Sequence, residues 1–66
     1  MKEYYLDYKS KAGVVTLSLV RQMRFRFVKV IISREIELDA IAIFKLKDYL
    51  EFNDDDEAEL WFRLNY

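Results

Sequence analysis

Between Asp48 and Glu59 the chain carries seven acidic residues (Asp48, Glu51, Asp54, Asp55, Asp56, Glu57 and Glu59) and no basic one. A calcium loop would space its ligands around a turn and use a Gly to bend the chain. Here Asp54 to Glu57 are consecutive and no Gly follows, so no metal site is expected. Clustered carboxylates can instead imitate an array of phosphates and occupy a basic groove on a partner protein, because charge complementarity speeds encounter and fixes register. The plainer alternative is a solvated hairpin loop. Beside this run, Trp61 alternates with Leu60, Phe62 and Leu64 and so points outward next to Glu59 and Arg63, an aromatic anchor for the same partner. Tyr5, on the polar side of its own segment, is a second such anchor.

The first half of the chain offers the opposite chemistry. Arg21, Arg24, Arg26, Lys29 and Arg34 are mostly guanidinium groups, which pair bidentately with phosphate and stack on aromatic faces. With Tyr4, Tyr5 and Tyr8 in the same sheet they would form a stacking and phosphate-tracking surface for a single-stranded nucleic acid. A pI near 5.3 and an acidic second half count against that alternative. The net charge of −1 conceals the segregation: residues 1–34 sum to +6 and residues 35–66 to −7.

Other chemistry is excluded by what is missing. There is no His, no Cys, no Pro and one Gly, which removes Cys/His zinc sites, the usual nucleophile–base pairs, disulfides and Gly-rich phosphate loops. The remaining hydroxyls (Ser10, Thr16, Ser18 and Ser33) have no imidazole to activate them. The expectation is a protein that is not an enzyme and holds no cofactor. No segment approaches the roughly 20 apolar residues that span a bilayer, the longest run being Ala40–Phe44. The acidic start lacks a secretory apolar region, so a cytoplasmic setting without a membrane partner is expected. An initial Met and a final Tyr66 read as a complete small gene product.

At 66 residues and 8.1 kDa the chain lies near the lower limit for folding without disulfides or metals, so self-association, as a homodimer, is expected to help it. The whole chain, 1–66, reads as one small domain. Tyr4, Leu6 and Tyr8 alternate with polar residues, a strand over 3–9. Ser10-Lys11-Ala12-Gly13 reads as a three-residue hairpin loop with its positive-φ residue last, leading into a second strand in which Val15, Leu17 and Leu19 share a face. Met23–Ile32 reads as a long strand whose apolar phase switches, so a bulge near Phe27–Val28 would bring Phe25, Phe27, Val28, Val30 and Ile32 to the inner face and Arg24, Arg26 and Lys29 to the other. Residues 35–52 alternate as a strand, although Asp39 could cap a helix there. Leu60, Phe62, Leu64 and Tyr66 alternate as a last strand, joined to Tyr49–Phe52 by an acidic loop.

The fold expected is mainly β, a small antiparallel meander or open barrel of five to six strands, with an α+β variant carrying one helix at about 39–52 as the alternative. The function expected is a non-enzymatic binding protein, an inhibitor or adaptor, that docks by its acidic face and aromatic anchor. The alternatives are the single-stranded nucleic-acid binder and a self-assembling structural protein whose strand edges pair with copies of itself. On the acidic-face reading, neutralising Asp54–Glu57 leaves folding intact and slows association.

Overall fold

Alternation of apolar and polar residues is strongest in the first third of the chain, and that is where the sheet is built. The computed structural model describes residues 1–37 and 49–66. Four strands, β1 (Lys2–Lys11), β2 (Val14–Gln22), β3 (Val28–Ile36) and β4 (Leu50–Phe52), are followed by a helix, α1 (Asp55–Asn65). The strands form one open antiparallel sheet in the order β3-β2-β1-β4. The protein is mainly β, as its sequence implies, but the described residues hold four strands rather than five or six, and no closed barrel.

The β1–β2 hairpin matches the expected strands, and its turn is tighter than expected. Lys11 pairs with Val14, so only Ala12 and Gly13 form the loop, at φ 53° and 79°. Two successive positive φ values are the mark of a type I′ turn, whose twist fits the strands it joins. Tyr4, Leu6, Leu17 and Leu19 bury themselves on one face of the hairpin, as the alternation predicts.

Met23–Ile32 is not one strand. β2 ends at Gln22, residues 23–27 form a turn, and β3 begins at Val28. Met23 N donates to Phe27 O at 2.9 Å and Phe27 N donates to Arg24 O at 3.2 Å, so the phase switch in the sequence marks a chain reversal. The one bulge in this pair lies further on: Leu19 faces Ile32 and Val20 faces Val30, which leaves Ile31 as the extra residue. Phe25 and Phe27, expected inside, are exposed, and so are Val28 and Val30.

The last segment is the clearest correction. Residues 60–65 belong to a helix with Tyr66 as its C-cap, and Asp54–Glu57 is its beginning instead of a hairpin loop. Asp54, in extended conformation, accepts from Glu57 N at 2.8 Å, while the Glu57 carboxylate accepts from Asn53 N at 3.0 Å. The first bond satisfies a donor that an α-helix leaves open at its start, the second ties down the residue before the cap, and the acids at 55–57 complement the positive end of the dipole. Ala58, Trp61, Phe62 and Tyr66 fall at helical spacing and meet the sheet, whereas Leu60 and Leu64 are 58% and 77% exposed. A strand would have put Leu60, Phe62 and Leu64 on the same side.

The core lies between α1 and one face of the sheet, formed by Tyr4, Leu6, Leu17, Leu19, Phe52, Ala58 and Phe62. Tyr4 and Phe52 meet edge to face at a centroid distance of 5.4 Å, and Trp61 sits 5.5 Å from Phe52 and 5.8 Å from Tyr66. Trp61 is therefore half-buried packing material and not an outward anchor. Of the helix considered at 39–52, residues 39–48 lie outside the described residues, and Leu50–Phe52 is strand. The strand reading of 35–52 holds at its two ends, in β3 and β4, and its centre lies outside the described residues.

Candidate functional site

Register brings three reactive side chains into one row. Tyr4 on β1 is paired with Arg21 on β2, and Arg21 with Lys29 on β3. All three reach Asp55, the first residue of α1. Tyr4 Oη donates to Asp55 Oδ1 at 2.7 Å, Lys29 Nζ donates to Oδ2 at 2.8 Å, and Arg21 Nη1 donates to Oδ1 and Oδ2 at 3.3 and 3.4 Å. The hydrogen bonds from Lys29 and Tyr4 hold the Asp55 carboxyl down at about 2, against the burial that opposes ionisation. Burial, followed by the bond to Asp55, pushes the Tyr4 phenol up to about 12. Tyr4 is fully buried, with no solvent-exposed surface. This row ties α1 to the sheet: Asp55 accepts from all three side chains, although Lys29 remains more than half exposed.

The acidic residues do not make one free surface. Asp54 and Glu57 cap the helix, Asp55 closes the row just described, and Glu59 pairs with Arg63 at 3.1 Å. Glu51 stands exposed on β4 opposite Glu3, Asp56 is exposed in the first helical turn, and Asp48 lies outside the described residues. Among the described residues no group of three or more Asp or Glu could hold a metal ion. Tyr5 is half-buried with its ring 6.0 Å from Tyr49, in an edge-to-face contact. Tyr8 is partly exposed on β1, paired with Leu17.

The side chains left facing solvent at the open end of the sheet belong to the β2–β3 turn. Phe25 is 89% exposed and Phe27 72%, and Arg24 and Arg26, which alternate with them, are exposed as well. Phe25 has a φ of 62°, a region in which a bulky residue is a genuine outlier. The turn is nonetheless held: besides its two main-chain bonds, the two N–H groups of Gln22 Nε2 are shared among the carbonyls of Met23, Phe25 and Phe27 at 3.3, 3.5 and 3.4 Å. Beside it opens a groove of about 880 Å³, lined by Met1, Lys2, Glu3, Met23, Arg24, Phe27 and neighbouring residues.

Of the residues expected to contact nucleic acid, the structure separates two groups. Arg24 and Arg26 stand free at the turn, with no ion pair among the described residues, while Tyr4, Arg21 and Lys29 are committed to Asp55. Sequence reasoning missed Phe25, Phe27, Met23 and Gln22 as site residues, because the strand assignment turned the phenylalanines inward. Their signal was present in Arg24-Phe25-Arg26-Phe27, whose apolar phase disagrees with that of Val28 and Val30. No helix of the described residues is long and apolar enough to cross a membrane. No family model matches this chain, and no curated protein or solved structure shows significant similarity to it.

Proposed function

We propose that this protein is a non-enzymatic binding protein that acts by docking on a macromolecule, and that the docking surface is the β2–β3 turn with the groove beside it. One observation carries the reading: Phe25, 89% exposed, is also held at a φ of 62°. An exposed ring gains nothing from the hydrophobic effect and the backbone there costs of order 1 kcal/mol or more, so neither feature serves the isolated fold. Such costs persist where a bound partner uses them. The absence of His and Cys and the commitment of Tyr4, Arg21 and Lys29 to Asp55 favour contact over catalysis.

The acidic residues contribute little to this surface, since Asp54, Asp55, Glu57 and Glu59 are engaged within the fold. The test is photocrosslinking in cells with p-benzoylphenylalanine at position 25, and at position 14 beside the opposite turn as control. Adducts formed from 25 and not from 14 support the reading. Equal yields from both ends, or none from either, overturn it.

A further inference from the structure

Resting on that docking surface, we infer that its partner is a single-stranded nucleic acid, read by stacking on Phe25 and Phe27 and by phosphate contacts from Arg24 and Arg26. The turn presents ring and guanidinium alternately, Arg24-Phe25-Arg26-Phe27, with both rings more than two-thirds exposed. A single strand presents the complement in the same one-to-one ratio, one flat base and one negative charge per nucleotide. Aromatic stacking accepts any unpaired base, and guanidinium groups both track phosphates and stack.

Lys2, exposed at the groove's edge, extends the cationic rim. Glu3 is the carboxylate lining the same groove. The Asp55 carboxylate adds little repulsion, being bonded to both Arg21 and Lys29. A duplex fits this tip poorly, because its base faces are already stacked. An acidic peptide would satisfy the arginines but leave two rings without flat partners.

The experiment is fluorescence anisotropy with the intact chain and labelled single-stranded oligonucleotides, at about 50 and 200 mM salt, with the matching duplex and anionic lipid vesicles as further arms. Three phosphate contacts give a slope of about −2 in log–log salt dependence, hence about a 20-fold weaker affinity at the higher salt. Arg24→Ala and Arg26→Ala each flatten the slope by about 0.7. Phe25→Gly weakens binding about tenfold without changing the slope, because stacking is lost and charge is kept. The melting curve of each variant confirms that it remains folded.

No saturable single-strand binding at low salt, binding indifferent to Phe25→Gly, or tighter association with duplex or vesicles overturns the nucleic-acid assignment. If position 25 still yields protein adducts in cells under that outcome, the docking surface stands and only its partner changes. If it yields none, both readings fall.

Discussion

The Tyr4 hydroxyl donates to the Asp55 carboxylate at 2.7 Å across 51 residues of sequence, joining a central strand to the first residue of the helix. Because Asp55 is held at about 2 rather than 3.8, its contribution to stability is complete above pH 4 and disappears as pH falls towards 2. With about a quarter of that side chain exposed, the acid-labile part amounts to about 2 kcal/mol. Tyr4 acts at the other end of the scale. Its pKa rises from 10.0 to about 12 on folding, so its contribution is present below pH 10 and is lost as pH climbs to 12. Denaturant titrations of wild type and Tyr4→Phe between pH 8 and 12 isolate this part, and the variant should show the shallower alkaline decline. Asp55→Ala should cost about 2–3 kcal/mol at pH 7, since it leaves a buried phenol and two cations without their acceptor.

Asp54 and Asp56 are chemically alike and two residues apart, yet their substitution should differ sharply. Asp54 accepts from Glu57 N, and Asp54→Ala should cost about 1 kcal/mol, whereas Asp54→Asn keeps a capping acceptor and most of the stability. Asp56→Ala, on an exposed side chain, should remain within about 0.5 kcal/mol of wild type. Neutralising Asp54–Glu57 together therefore destabilises the fold through Asp55 and the dipole, contrary to what a free acidic loop would do. Urea midpoints of the three single variants and the quadruple variant decide the matter.

Phe62→Ala and Leu64→Ala distinguish the helix from a strand over the same residues. In a strand both side chains share the inner face and both substitutions are severe. In the helix Phe62 is fully buried while Leu64 is 77% exposed. Phe62→Ala should cost about 3–5 kcal/mol, enough to unfold a domain of this size, and Leu64→Ala about 0.5 kcal/mol or less. Circular dichroism melts of the two proteins are sufficient.

The β1–β2 turn admits a stabilising change. Ala12 occupies φ 53°, which costs a residue with a Cβ about 1 kcal/mol, and the first position of a type I′ turn prefers Asn. Ala12→Asn should raise stability by about 0.5–1 kcal/mol. Gly13→Ala meets no atom within 4 Å, so its loss of about 1 kcal/mol measures the φ of 79° alone. Paired chemical denaturation of the two variants reads both numbers.

These differences show what the sequence could and could not express. The hairpin was legible because Tyr4, Leu6, Leu17 and Leu19 alternate without interruption and a Gly marks the reversal. The helix was hidden because Leu60, Phe62, Leu64 and Tyr66 also satisfy a period of two. Only the Asp54-to-Glu57 spacing, a cap three residues ahead of a carboxylate, favoured period 3.6. The convergence of Tyr4, Arg21, Lys29 and Asp55 depends on cross-strand register, which no local pattern encodes. Arg24 and Arg26 were recognised as candidates by charge, but their setting was not, since Phe25 adopts a backbone conformation that residue type argues against.

Phe25 supplies the last test, one in which binding and stability part company. At φ 62° it is the first central residue of the turn closed by Phe27 N and Arg24 O, a place that favours Gly. Phe25→Gly removes both the strain and the exposed ring, and the gain of about 1 kcal/mol is only partly offset by the greater freedom of glycine in the unfolded chain. The variant should melt at or a few degrees above the wild-type temperature. Phe25→Ala removes the ring and keeps the positive φ, so it should melt near wild type while losing the same binding. A fall in melting temperature for both variants would show that the ring packs within the fold, and the strain at this turn would then belong to stability and not to recognition.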